Sequence, residues 1–253
     1  FVVPRSMPTI LLTTQCCHET ATKQNFCAFA PRCDYCGCMN CIVTAGPTYE
    51  PLDDVRRLTN FSTGRLGTEL ANFLVARGHQ VTLLISAQAT YGGERRTQRL
   101  EVFTTTANLR EKLQALSAKK VNAVFHTAAV SDFRFGRIRQ QSPHGKLTEI
   151  KSKKIPTGEG TLLVELVPTR KIITELRAWF PWAKLVGWKF EAEGKRPDAV
   201  RTAEQQLIQC LTDACVANGP AYGEGFGLIT RGSHLPLADP PKLFDALERL
   251  IQA

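Results

Sequence analysis

The chain has 253 residues, 43% of them hydrophobic, and a formal net charge of +9. That is enough for one α/β domain with a sizeable core, and no apolar run approaches the roughly 20 residues that cross a membrane. The basic surplus suits anionic small substrates; the Lys and Arg residues are scattered and not interleaved with aromatics on one helix, which argues against a nucleic-acid partner.

Seven of the nine cysteines stand at or before Cys41, and only Cys210 and Cys215 lie beyond. Cys33-x-x-Cys36 and Cys38-x-x-Cys41 have the spacing of zinc ligands. Two pairs this close need unusual geometry, and Cys41 already begins the first strand, so no metal site is expected. Residues 1–38 lack periodicity and any signal-peptide pattern. Met39 stands directly before the first strand. The expectation is a disordered or non-native extension over 1–38 and one domain over 39–253. With two remaining cysteines there is no disulfide framework, which points to the cytoplasm.

Ile42, Val43 and Ala45 form a short apolar strand that stops at Gly46-Pro47, a strong turn signal. A polar loop follows, with Asp53, Asp54, Arg56 and Arg57, then Asn60-Phe61-Ser62-Thr63-Gly64-Arg65-Leu66-Gly67. Leu66, Leu70, Phe73 and Leu74 recur at helical spacing, and Gly78 stands where a C-terminal cap belongs. A glycine-bearing loop feeding a helix N-terminus offers backbone N–H groups and a positive dipole end to phosphate. Val81–Ile85 reads as a buried parallel strand, and a short strand is expected around Val102-Phe103. Thr105 or Thr106 can cap a helix over Asn108–Leu116. Val121–Phe125 is the next strand, ending at His126 and the run Ala128-Ala129-Val130-Ser131-Asp132-Phe133.

The segment Arg137–Lys154 breaks the rhythm with Pro143, Gly145 and the group Lys151-Ser152-Lys153-Lys154; with a strand over Thr161–Val167 it reads as a flap or hairpin outside the sheet. Pro168-Thr169 is expected to open a helix running to Trp179. Strands over Leu185–Phe190 and Asp213–Ala217 enclose a helix over Pro197–Cys210. Phe226–Thr230 is expected as the last strand, and Asp239 caps a final helix with Pro240 and Pro241 in its first turn. Alternating strands and helices predict a Rossmann-like, doubly wound, mostly parallel sheet. Its ligands bind outside the carboxyl ends of the strands, where Gly46, Ala128 and Asp132 fall.

Five blocks together resemble phosphopantothenoylcysteine synthetase, the phosphopantothenate–cysteine ligase of coenzyme A biosynthesis. They are Thr44-Ala45-Gly46-Pro47-Thr48 with Val55-Arg56 through Gly67; Ala128–Phe133; Lys151–Lys154; Val167-Pro168-Thr169 with Lys171-Ile172; and Val186-Gly187-Trp188-Lys189-Phe190-Glu191. The resemblance implies that the carboxylate of 4'-phosphopantothenate attacks the α-phosphate of CTP or ATP, with magnesium. Cysteine then attacks the resulting acyl-nucleotidylate to form the amide. It implies catalytic roles for Asn60, which polarises the acyl carbonyl, for Lys151 at the α-phosphate, and for Arg56 on the substrate phosphate. It places Gly46, Ser62, Gly64, Gly67, Ala128, Asp132 and Trp188 around the nucleotide, and it implies a homodimer.

Two departures stand out. Positions where many CTP-using members carry two lysines appear here as Gln206 and Cys210, which leaves CTP against ATP open. No stretch of this sequence resembles the flavin-dependent decarboxylase domain that many bacterial members carry upstream. A competing NAD(P)-dependent oxidoreductase lacks its marks: no G-x-G-x-x-G follows the first strand, and there is no Tyr-x-x-x-Lys dyad. A non-enzymatic nucleotide-binding protein is the third alternative.

Overall fold

The structure is a computed structural model that describes residues 37–158 and 160–253. The expectations for residues 1–36, the Cys33-x-x-Cys36 pair included, lie outside the described residues. β1 (Asn40–Ala45) turns at Gly46 into a small hairpin, β2 (Tyr49–Pro51) and β3 (Arg57–Thr59), and then into α1 (Arg65–Ala76). β4 (Gln80–Ser86), β5 (Arg99–Phe103), α2 (Thr106–Leu116) and β6 (Ala123–His126) follow. β7 (Phe133–Gln141), β8 (Leu147–Glu149) and β9 (Thr161–Pro168) form a separate three-stranded antiparallel sheet. A 3-10 turn (Ile172–Thr174), α3 (Leu176–Trp179), β10 (Lys184–Phe190), α4 (Arg196–Cys210), β11 (Ala214–Asn218), β12 (Phe226–Thr230), β13 (Ser233–Leu237) and α5 (Pro240–Gln252) complete the chain.

The central sheet has eight strands in the order β13-β12-β11-β10-β6-β1-β4-β5. From β5 to β11 all neighbours run parallel, and β12 and β13 add an antiparallel edge. Numbered by appearance in the parallel part, the order is 3-2-1-4-5-6, the doubly wound arrangement of dinucleotide-binding folds. Its switch point lies between β1 and β6.

Side-chain alternation along the strands splits the core into two layers. Cys41, Val43 and Ala45 of β1 face α1 and α5 through Leu70, Leu74, Leu243 and Leu247. Ile42, with Leu84, Val124 and Leu185, faces α2 and α3 through Leu109, Leu113 and Leu176. α4 covers β11 and β12 with Ala199, Ala203 and Leu207. Helices therefore cover both faces, which is why the parallel strands read as continuous apolar runs.

Four local readings are corrected. The helix expected from Pro168 to Trp179 is only the 3-10 turn and the single-turn α3. Pro168 is still paired with Phe133, and Thr169 donates to Asp132 and Ser131 carbonyls, so the would-be N-cap is committed elsewhere. Phe226–Thr230 is not the last strand: Ser233–Leu237 pairs beside it. Pro236 disguises that strand, and proline is tolerated there because the strand is an edge. The polar loop after Gly46 holds the β2–β3 hairpin. The flap begins earlier than Arg137, since Phe133–Gln141 is a nine-residue strand.

Candidate active site

A cleft of about 860 Å³ opens at the switch point. One wall is the Asn60–Gly67 loop and the start of α1, the second is the turn His126–Asp132, and the third is formed by Thr169–Ile173, Trp188–Phe190, Gln206 and Asn218.

The first wall explains why the contiguous glycine fingerprint is absent from the sequence while its geometry is present. Gly46 (φ 87°) and Gly64 (φ 79°) both adopt the left-handed region that side chains disfavour. A Cβ on Gly64 would come within 3.3 Å of the Gly46 nitrogen, so the two lie against each other. A Cβ on Gly67 would meet Thr127 Oγ1 at 2.3 Å and Ala45 Cβ at 2.7 Å, so Gly67 lets α1 pack onto the ends of β1 and β6. The three positions provide a tight turn, a close backbone approach and a helix–strand contact, with the β2–β3 hairpin inserted between the first and the other two. α1 starts at Gly64 with no side-chain cap and no acidic residue in its first turn. Arg65 N donates to Thr63 Oγ1 at 3.3 Å, and the Leu66 and Gly67 N–H groups with the helix dipole are left to act on an anion in the cleft.

The second wall is stitched to the first. Ala129 N donates to Gly46 O and Thr48 N to Ala129 O, each at 3.1 Å. Thr48 Oγ1 accepts from Ser131 N at 2.8 Å and meets Thr106 Oγ1 at 3.1 Å. Thr44 Oγ1 accepts from Ala128 N and contacts His126 Nδ1 at 3.0 Å. Asn60 Nδ2 donates to Ala129 O and Val130 O, both at 3.3 Å, so its carboxamide bridges the two walls. Burial holds His126 down at about 4, so the imidazole lining the cleft is neutral near pH 7.

The third wall carries charge that the sequence reading left without roles. Arg170, Lys171 and Lys189 line the cleft, with Lys189 Nζ 3.4 Å from Glu191. Trp188 lies among them, partly buried, with its indole Nε1 buried and unpartnered among the described residues. Gln206 Nε2 donates to Cys215 Sγ at 3.2 Å. Burial pushes the Cys215 thiol up to about 12, so it stays a neutral acceptor and not a nucleophile.

Of the residues expected from sequence, Gly46, Asn60, Ser62, Gly64, Gly67, Ala128, Asp132 and Trp188 all line this one cleft. Arg56 and Lys151 do not. Arg56 is engaged with Asp53 and with Ile155 O. Lys151 stands on the flap with its side chain 82% exposed, 3.9 Å from Glu149. The hubs Thr44, Thr48 and Ser131 were missed, although a hydroxyl closing an otherwise apolar strand is a readable signal.

The chain matches the DNA/pantothenate metabolism flavoprotein C-terminal domain over residues 38–239. It belongs to this family. The chain is 33% identical over 180 residues to the coenzyme A biosynthesis bifunctional protein CoaBC of Thermococcus kodakarensis, covering 70% of this chain and 40% of that protein. It is 32% identical over 191 residues to CoaBC of Bacillus subtilis, covering 75% and 42%. The domain thus spans about two fifths of the length of these relatives. Among solved structures, the DNA/pantothenate metabolism flavoprotein of Streptococcus pneumoniae superposes with a TM-score of 0.74 at 23% identity, over 85% of this chain and 98% of that one. A Cab2 mutant in complex with phosphopantothenate-cysteine gives 0.63 at 18% identity, over 85% and 88%. Both likenesses bear on the fold. Family membership and the order 3-2-1-4-5-6 agree on the expected Rossmann-like sheet.

Proposed function

We propose that this domain joins 4'-phosphopantothenate to L-cysteine through an acyl-nucleotidylate. The single observation that carries the reading is the cleft itself: an uncapped, glycine-lined helix N-terminus faces Asn60 and a basic wall across the switch point of a family member. The first step brings a carboxylate to an α-phosphate, so two anions must share one site. Backbone N–H groups of the Ser62–Gly67 loop and the cationic Arg170, Lys171 and Lys189 offset that repulsion. The carboxylate oxygen bonds to phosphorus and pyrophosphate departs. The amine of cysteine then forms the C–N bond, and the nucleoside monophosphate leaves with the electrons of the C–O bond. Lys151 reaches the α-phosphate from the flap when the ligands are bound. Asn60 exchanges a carbonyl partner of the Val130 turn for the acyl oxygen. Trp188 packs on the base, and Asp132 accepts from its amine or from ribose.

No cluster of three His, Cys, Asp or Glu side chains poised for a metal occurs among the described residues. Magnesium would be carried in on the triphosphate oxygens, since it keeps several waters and needs few protein ligands. The nucleotide is CTP or ATP; Gln206 stands at the cleft where a lysine would favour the first. A homodimer is supported by the flap sheet, which leaves Phe133, Leu147, Leu163 and Leu166 each more than 40% exposed. The test is pyrophosphate release with phosphopantothenate, cysteine, magnesium and either nucleotide. Turnover with one nucleotide is expected, and folded protein inactive with both overturns the assignment.

A further inference from the structure

The sequence group Asp53–Arg56 lies outside the cleft, yet it holds a dense set of polar contacts. The Asp53 side chain is 1% exposed. Its Oδ1 accepts from Val55 N at 3.0 Å and Arg56 N at 2.8 Å. Its Oδ2 accepts from Arg56 Nε at 3.0 Å and Ile155 N at 3.0 Å, and it also pairs with Arg56 Nη2. Arg56 Nη2 donates onward to Ile155 O at 2.7 Å, and Asp54 N donates to Lys153 O at 2.9 Å. Ile155 itself is 3% exposed. Three separate hydrogen bonds thus fasten the irregular flap segment 153–155 onto the β2–β3 turn. The Arg56 guanidinium, with the backbone N–H donors of Ile155, Val55 and Arg56, holds the Asp53 carboxyl well below the usual carboxylate range, so it stays ionised and keeps these partners.

The fastened segment begins two residues after Lys151. A chain spans at most roughly 3.6 Å per residue, so the Lys151 Cα stays within about 7 Å of that of Lys153. On the other side, Arg56 leads through β3 directly to Asn60 at the cleft, and Thr59 Oγ1 is held by Thr48 O at 3.0 Å. The clip therefore joins the base of the exposed lysine group to the same turn that leads to Asn60. We propose that Asp53 is a positioning residue for the reaction, acting through Lys151 by limiting the space the flap lysine explores. This rests on the proposed ligase reading. Arg56 is on this view the bridging half of the clip and not a direct phosphate ligand.

The experiment compares Asp53→Asn, Lys151→Gln and the double variant. Acyl-nucleotide formation is measured in the absence of cysteine, and aminolysis is measured from supplied intermediate. Asp53→Asn is expected to slow acyl-nucleotide formation about 10-fold or more, through lost orientation, with aminolysis within about twofold. The double variant should be no slower than Lys151→Gln alone, since residues acting as one unit are non-additive. Additive losses, or equal losses in both half-reactions, overturn the proposal. The clip itself is read without activity. In the unaltered protein the Ile155 and Asp54 amides should resist hydrogen exchange while Lys151 and Ser152 exchange freely. In Asp53→Asn, trypsin cleavage after Lys153 and Lys154 should rise at least about 10-fold at a temperature well below the melting transition of the variant, with the other tryptic sites unchanged. Free exchange at Ile155 in the unaltered protein overturns the clip, even if Asp53→Asn does not fold. Protected amides in a protein without ligase turnover would instead locate the failure in the assigned reaction.

Discussion

Replacing Gly67 with alanine tests whether helix–strand contact at the cleft is the job of that glycine. The added Cβ would stand 2.3 Å from Thr127 Oγ1, 2.7 Å from Ala45 Cβ and 3.1 Å from Thr44 O. None of these can yield cheaply. Thr44 and Ala45 belong to the buried central strand β1, and Thr127 Oγ1 is tied to the Thr44 carbonyl. Overpacking of this kind costs about 1–3 kcal/mol. Alanine in a helix recovers about 0.5–1 kcal/mol relative to glycine, so the clash wins and a net loss of about 1–2 kcal/mol remains. For a domain of this size that is a fall of roughly 2–8 °C in melting temperature. Relief by sliding α1 outward would displace the N–H groups to which the proposed reaction assigns phosphate, and misplacement approaching 1 Å costs on the order of 100-fold in rate. Gly78→Ala is the control: its Cβ meets nothing within 4 Å and lies far from the cleft at the end of α1. With φ at 87° it costs roughly 1–2 kcal/mol of strain. The assay is thermal melting alongside pyrophosphate release. Gly78→Ala should lose stability and keep activity, while Gly67→Ala loses both. A Gly67→Ala protein that melts and turns over like the unaltered one would refute the packing argument.

The two side chains to which the proposed reaction gives separate steps should fail differently. Lys151→Gln should slow the nucleotide-dependent step by roughly 100- to 1000-fold, the scale of losing one donor to developing charge. Its melting curve should be unchanged because the side chain is exposed; turnover within a few-fold of normal would remove Lys151 from the mechanism. Asn60→Asp should let acyl-nucleotide accumulate, seen by rapid quench with labelled phosphopantothenate, because a carboxylate there repels the acyl-phosphate; no accumulation counts against the role of Asn60 in aminolysis. Burial lowers His126 from 6.5 to about 4, so the unfolded chain takes up its proton first as pH falls. Stability from this group is complete above about pH 6.5 and is lost towards pH 4, by up to about 3 kcal/mol. Urea titrations should show a steeper acid loss than in His126→Asn, and parallel pH profiles would contradict the buried neutral imidazole. Light scattering at micromolar concentration should give twice the chain mass, falling towards one chain in Leu163→Lys, Leu166→Lys; a monomeric unaltered protein would contradict the flap-sheet interface.

Much of the fold was legible because its signals are local. The apolar runs at Ile42–Ala45 and Val81–Ile85, the glycine after α1 and the Asp239-Pro240-Pro241 cap each act within a few residues of themselves. The five motif blocks likewise marked most of the cleft, since residues at the carboxyl ends of parallel strands must converge there once the sheet forms. The sequence by itself could not decide how the blocks meet. Gly46 is separated from Gly64 by a hairpin, and only the folded chain sets the two glycines against each other. The helix expected after Pro168 failed because Thr169 finds better partners across the chain in Ser131 and Asp132. Strand β13 was hidden because a proline is forbidden in a central strand and allowed on an edge, and edge position is a property of the assembled sheet. Arg56 read as a ligand for phosphate because its charge is local information. Its pairing with Asp53 is only three positions away, but the bond to the Ile155 carbonyl that fixes both crosses 99 positions, and only tertiary structure supplies that contact.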